Sequence, residues 1–506
     1  MLFLYVPKEL IPEAEAQIRS EFRLEEWVQI VETGSANPLP SALHISAQRK
    51  EGISHLPDWY NVMPPFLFPE GIVWTRENLL ALIYTKLGNY ERVYELLSNN
   101  SLLLNDIDVL NRLQNGVPVS PEVLTCDFSP FDEYRLYHNS AILHHYAATA
   151  DTFDPSRTRY FYQEALNAAP DSEYHAFTAR HYAVFLLDSD LLEEAEVLIR
   201  EALRFPLSSE GSTELKSVLC QVWMKQLVLP YDPALLEKLK QTLWEVLEEY
   251  QAQGRSADEG LLLVDAAQVA NYSDSFAESL GYINKALEIF RREEMPELLA
   301  QAQYRKGILL YTWAKNGNPQ FFRGAMEAFQ EALKVFSREE TPEVFADIHQ
   351  YLGVIYSEIP DEVLKKSIWA GVSSASFQEA LSFYRQDNYP YEYAMVCNNY
   401  ANALTRYPQA VHSDNLKKAL GYYEEALEVR TAERWPLERA VSLLNYVETC
   451  WHLGLDGKSS DKALYEDMLA KTKEARHLTQ DPHVQAEADL HLEKLALLRD
   501  TLAAES

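Results

Sequence analysis

Residues 331–345 read EALKVFSREETPEVF, and the stretch carries two marks whose spacing decides the fold. The first is Ala332. Phe329, Ala332, Leu333 and Phe336 fall at i, i+3, i+4 and i+7, the spacing of one apolar stripe on a helix, and the small side chain within it lets a second helix approach closely. The second is Pro342, set among Glu339, Glu340 and Glu343. Proline suits the first turn of a helix, where its missing N–H would lack a partner anyway, and acidic residues suit the positive end of the helix dipole. Downstream, HQYLGVIY (349–356) puts Gly353 about three turns into that new helix. Glycine there weakens a lone helix by about 1 kcal/mol relative to alanine, so close contact with a neighbouring helix is the natural reason for it. The stretch is therefore a joint, closing one helical hairpin and opening the next.

The joint recurs. Aligned on Ala286, Ala332, Ala380 and Ala426, the chain reads KALEIF, EALKVF, EALSFY and EALEVR, with steps of 46, 48 and 46 residues. Ten residues after each alanine stands Pro296, Pro342, Pro390 or Pro436, and 21 after each stands Gly307, Gly353, Ala401 or Val447. Such self-similarity is the signature of a stacked-repeat architecture, which also suits a chain of 506 residues, too long for one ordinary core.

These residues resemble the tetratricopeptide repeat (TPR). Gly353 and Tyr356 match its helix A pattern, and Ala325, Phe329 and Ala332 match helix B of the preceding unit. The resemblance implies an all-α fold, a right-handed superhelical solenoid of stacked antiparallel hairpins, here with a small non-repeat N-terminal region. The units are longer than the usual period of about 34 residues. Six surplus residues lie between the helix B alanine and the next small residue, where they are expected to lengthen the helices flanking the proline; the rest lie at the hairpin tips. Long units with an acidic REE–P linker, followed by a helix such as NNYANAL (398–404), are similar to the arrays that accompany bacterial caspase-like CHAT protease domains, over about residues 257–453. That similarity implies a recognition or regulatory array in a bacterial effector system.

The chain is expected to divide into a non-repeat region or cap at 1–70, degenerate hairpins at 71–256, the extended array at 257–453 and closing helices at 454–506. LFLYV at the N-terminus reads as an opening strand, residues 11–31 as a helix, LLALIYTKLGNYERVYELL (79–97) as a hairpin turning at LGNY, residues 178–198 as a further short hairpin, and 211–252 as two long helices.

Composition narrows the function. The formal net charge is −31, from 76 acidic and 45 basic residues, which disfavours nucleic acid and anionic membranes and favours a partner with a basic face. The N-terminus lacks the basic leader and long apolar run of a secretion signal, and no stretch has a membrane span's length. The four cysteines, Cys126, Cys220, Cys397 and Cys450, stand far apart, so a reducing cytoplasm is expected, with neither disulfides nor a zinc site. No phosphate loop, HExxH, GxSxG or EF-hand appears, and no catalytic residue, metal or cofactor is expected. Cys450 and His452 are too close along a helix to face one another, His144 and His145 lack the i, i+4 spacing of a ligand pair, and His181 reads as structural.

Function then falls to the faces. With the A helices lining one side of the stack, the register puts Tyr304, Tyr311, Gln350, Asn398, Asn402, Arg406, Glu448 and Trp451 there. Rings offer contact area and amides bond to peptide backbone, so these eight are the expected partner-binding residues, and the same rings can instead pack between repeats. The lysine and arginine clamp of chaperone-tail-binding arrays is missing, since Gln350 and Asn398 hold the matching positions. Other readings are an enzyme site within residues 1–130, or a transcription regulator, for which the acidic ends offer no DNA-binding helix-turn-helix.

Overall fold

The computed structural model describes residues 2–33, 43–45, 52–54, 57, 59, 65–69, 71–97, 101–119, 130–147, 153–228, 230–359, 363–408, 414–453 and 459–504, so Cys126 lies outside the described residues. The chain forms two compact units, Met1–Gly254 and Arg255–Ser506.

The first unit opens with strand β1 (Leu2–Val6), as its apolar run predicts, followed by α1 (Ile11–Arg19), β2 (Val28–Glu32), β3 (Leu43–Ile45) and β4 (Ile53–Ser54). The sheet order is β2-β1-β3-β4, with β1 parallel to both its neighbours and β3 antiparallel to β4. The helix expected over 11–31 is thus corrected: it stops at Arg19, Arg23 turns the chain at φ 56°, and Val28 to Glu32 pair with Leu2 to Val6. A helix running through to residue 31 would have left the edge of β1 without backbone partners, and the alternating Val28, Ile30 pattern supplies them.

Among the described residues nine helices follow in this unit: α2 (Arg76–Lys86), α3 (Tyr90–Leu96), α4 (Ser101–Gln114), α5 (Pro130–Tyr146), α6 (Pro155–Ala168), α7 (Ser172–Asp188), α8 (Leu192–Ala202), α9 (Ser209–Gln226) and α10 (Pro233–Ala252). The LGNY turn works as read. Gly88 takes φ 73°, a left-handed conformation costly for other residues, and the Asn89 side chain caps α3 by accepting from the Arg92 N–H. The core here is unusually polar. Arg135 is buried against Asp106 (2.8 Å) and Asp132 (3.1 Å), and His138 is fixed between the Thr178 hydroxyl (2.9 Å) and the Pro65 carbonyl (2.8 Å).

The second unit is regular. Its hairpins are α11 (Ser256–Tyr272) with α12 (Phe276–Arg292), α13 (Pro296–Lys315) with α14 (Phe321–Ala332), α15 (Pro342–Glu358) with α16 (Val363–Phe383), α17 (Pro390–Arg406) with α18 (Asn415–Val429), and α19 (Pro436–Trp451) with α20 (Ser459–Leu478), before a closing α21 (Pro482–Ala504). Each proline of the repeat is the first residue of its helix. The small residues sit where two helices meet: a methyl group added at Gly307 would come within 2.6 Å of the Phe329 ring, and one at Gly353 within 2.9 Å of Phe377. Gly260 extends the pattern one unit earlier, against Phe290. Two of these rings also meet the next A helix: Phe329 stacks on Tyr351 (5.3 Å, 10°) and Phe377 on Tyr400 (4.9 Å, 22°), so at these two joints a glycine, the hairpin's own ring and the next A helix's ring pack together.

The surplus length is distributed differently from the expectation. α12 does run six residues past Ala286, but α14 ends on Ala332 and turns occupy the residues before Pro342. Val335 and Phe336 there bond back to the Ala332 carbonyl, so a tight turn replaces the longer helix.

Candidate functional site

Tyr304, Gln350 and Asn398 each stand three residues before the small residue of α13, α15 and α17, and from that position Tyr304 and Asn398 reach the next A helix while Gln350 bonds within α15. The Tyr304 hydroxyl bonds to Asp347 on α15, whose Oδ1 also accepts from Gln350 Nε2 at 3.1 Å. Asn398 Oδ1 accepts from Ser442 Oγ (3.0 Å) and Asn445 Nδ2 (3.4 Å) on α19. Tyr311 sets its ring edge to face with Tyr351 at 5.0 Å. Glu358 on α15 holds two cations at once, Lys315 from α13 at 2.9 Å and Arg406 from α17. At the far end Trp451 Nε1 donates to His491 Nδ1 on α21 (3.1 Å), which leaves Nε2 to carry the imidazole proton toward Glu448 at 3.6 Å. Asn402 works within its own hairpin, accepting from the Tyr423 hydroxyl at 2.5 Å.

The eight residues therefore follow one line of A-helix joints, in two states. Gln350 and Asn398 are 4% and 6% exposed, with Tyr304, Tyr311 and Trp451 partly buried in ring and hydrogen-bond contacts. Arg406 and Glu448 are exposed, and Asn402 is intermediate. Desolvation drives the Tyr304 hydroxyl far above its usual range, with Asp347 adding to it, so this phenol stays a donor at any physiological pH.

Sequence reasoning missed four neighbours. A cleft of about 560 Å³ opens beside Arg406, lined by Glu358, Lys366, Trp369 and Tyr407, with Trp369 stacked on Tyr356 (5.5 Å, 8°). Further along, Asp265 on α11 is partly buried, and burial pushes its carboxyl up to about 6 although Arg305 opposes the shift. Asp347 is raised for the same reason, with Tyr304 and Gln350 holding it back. Arg305 is exposed and acts electrostatically on both carboxylates without an ion pair to either among the described residues. Nothing in a single sequence marks Asp265 or Arg305, because a charged residue on a helix reads as a solvated one. Arg430 is buried, donates to Ser442 Oγ at 2.7 Å and has no carboxylate within ion-pair distance among the described residues.

The sites considered for chemistry hold ordinary side chains. Burial pushes the Cys397 and Cys450 thiols up to about 12, the opposite of an activated nucleophile, and His452 is exposed beside Glu448. His144 stacks on Phe161, His145 bonds to the Tyr162 hydroxyl, and His181 lies edge-on to Phe177. Among the described residues no group of three possible metal ligands comes together, and no helix is long and apolar enough to cross a membrane.

Stacked antiparallel hairpins of this kind, with a small strand-containing region at the N-terminus, define a tetratricopeptide-like helical-repeat protein. Solved structures that resemble the chain include the human IFIT1 dimer with m7Gppp-AAAA (15% identity, 84% of this chain and 90% of that one, TM-score 0.41). Others are the APC/C hetero-tetramer Cut9-Hcn1 (14%, 85% and 86%, TM-score 0.35) and the P58(IPK) TPR domain (12%, 84% and 98%, TM-score 0.23). No protein-family model matches the chain, and no curated protein matches it in sequence.

Proposed function

We propose that this chain is a non-catalytic protein-interaction scaffold or adaptor, which takes a peptide or protein partner on the A-helix face of its second unit. The observation that carries the reading is the line of polar and aromatic side chains from Tyr304 to Trp451. Its buried members tie successive A helices together and so hold the exposed members, Arg406 and Glu448, on a preorganised surface. The narrower form of the proposal, by the similarity of the long units, is a regulatory partner of a caspase-like protease in a bacterial effector system.

Selection of phage-displayed random peptides on the full chain tests the face. Enriched peptides are expected to lose at least tenfold in affinity for Arg406→Glu or Glu448→Lys and to bind normally to Glu288→Lys and Glu428→Lys, which change exposed residues on the B helices α12 and α18. The opposite pattern would overturn the reading. Purified caspase-like protease assayed with and without the chain checks the narrower form.

A further inference from the structure

The A helices of the first unit hold a piece of their own chain. α5, α7 and α9 each pair with the helix that follows, and side chains of these three first helices carry Trp59 and the irregular run Pro65–Phe68. On α5, Asn139 grips Leu67 twice: Oδ1 accepts from its backbone N–H and Nδ2 donates to its carbonyl, both at 2.8 Å. His138 Nε2 donates to the Pro65 carbonyl beside it, and Phe66 and Phe68 belong to the core shared with Leu4 and Leu79, so this end is anchored. Trp59 ends the other way, in a socket on α7 and α9. Its indole N–H donates to Glu173 Oε1 (2.7 Å), Phe177 stands edge-on to the ring (5.3 Å, 81°), and the Arg180 guanidinium donates to its carbonyl at 3.2 Å. Gly211 leaves room for the ring, since a methyl group there would come within 2.9 Å of it, and Trp59 is only 2% exposed.

The socket is built as a receptor builds one. Each group that recognises Trp59 is positioned by a partner of its own: Glu173 accepts from the Ser208 N–H (3.1 Å) and hydroxyl, and Arg180 pairs with Glu214 at 2.6 Å. Preorganised groups of this kind keep their places when the occupant leaves, which removes part of the entropic cost of binding. Their charged heads can then take up water, as the wall of an opened apolar core cannot. Recognition is by three points, a main-chain carbonyl, a side-chain N–H and an aromatic surface, and only tryptophan presents that ring and that donor together.

We infer that Glu173, Phe177, Arg180 and Gly211 form a tryptophan-reading peptide site on the A-helix face of the first unit, that Trp59 is its tethered resident ligand, and that a partner segment bearing a tryptophan takes the socket in its place. The site is additional to the face proposed on the second unit. Tethering makes the resident a strong competitor, at an effective concentration on the order of millimolar, so the site is gated by its own chain.

The test uses the full chain and a fluorescein-labelled peptide with the sequence of residues 55–62, HLPDWYNV, followed by anisotropy. Trp59→Ala empties the socket and should bind this peptide at least tenfold more tightly than the wild-type chain does. The same peptide with alanine in place of its tryptophan should lose that gain. Gly211→Ala added to Trp59→Ala puts a methyl group where the incoming indole would lie and improves the helix propensity of α9. It should weaken binding at least tenfold while the melting temperature holds or rises, which separates lost recognition from lost folding. Trp59→Phe, which keeps a ring and gives up the N–H, serves where the alanine variant does not fold, and should admit the peptide two- to fivefold more tightly than wild type. A folded Trp59→Ala or Trp59→Phe chain that binds no better than wild type, or binding indifferent to Gly211→Ala, would overturn the inference. Release of the peptide by Arg406→Glu instead would also overturn it, placing the peptide on the second unit's face and leaving that proposal standing.

Discussion

The two units solve the same packing problem with different materials. In the second, a proline opens the A helix at each of four joints, and at Gly307 and Gly353 the glycine meets a ring of its own hairpin's B helix. Regularity of this kind lets each repeat be stabilised by its neighbours alone. The first unit has hairpins too, but its interior depends on single polar clusters, Asp106–Arg135–Asp132 and Tyr134–Thr178–His138, that occur once. Such clusters specify one arrangement strongly when every partner is present and fail when one is lost. The contrast teaches that damage should propagate differently, locally in the second unit and through a whole cluster in the first.

The largest break should come from Arg135→Ala, which strands two buried carboxylates. Removing one partner of a buried ion pair costs about 3–5 kcal/mol, and urea unfolding followed by hydrogen exchange in α5 should show it. Acid comes next. Burial holds the His138 imidazole down at about 4, below the value near 6.5 of an unfolded chain. A depressed histidine contributes stability that is present above pH 6.5 and lost as pH falls toward 4, here up to about 3 kcal/mol. Exchange of the α5 amides should therefore accelerate over that window, and His138→Gln should flatten the profile.

In the second unit, Gly353→Ala sharpens the comparison. Alanine gains about 1 kcal/mol of helix propensity, but its methyl group meets a Phe377 ring that Tyr400 holds from the other side, so a net loss of about 1–2 kcal/mol is expected. Phe377→Leu in the same chain should recover part of it, a coupling that a double-mutant cycle measures. The smallest effect has the opposite sign. Asp265, raised to about 6, favours folding when protonated, so its contribution is present below about pH 4 and is lost as pH rises through 6. Asp265→Asn should then raise the melting temperature at pH 7, worth about 1 kcal/mol for a partly exposed group, and leave it unchanged at pH 4.

What the sequence discloses follows the same division. The joints are legible because proline, glycine and alanine act through backbone geometry, which one chain carries in its own spacing: Pro342 and Gly353 needed no partner to be read. The opening strand is legible from its apolar run, but the end of α1 is not, because only the presence of β1 turns Val28–Glu32 into a strand. The candidate site is legible as a face and not as a network. The register placed Tyr304 and Arg406 on the right helices, yet the offset that brings Tyr304 to Asp347, or both Lys315 and Arg406 to Glu358, depends on how neighbouring hairpins stack. His138 reaches the carbonyl of Pro65, 73 residues away, a contact that no local pattern announces.

The constant count of 21 residues across each joint also sets which changes of length the chain can absorb. Between Pro342 and Gly353 one inserted residue would turn the glycine by about 100° around the helix axis and point a bulkier neighbour at Phe377. The hairpin tips carry no such constraint, and the tip between α13 and α14 is five residues long where α11 and α12 are joined by three. Grafted loops, tags or whole binding segments therefore belong at those tips, where the array can change what it displays without losing its register.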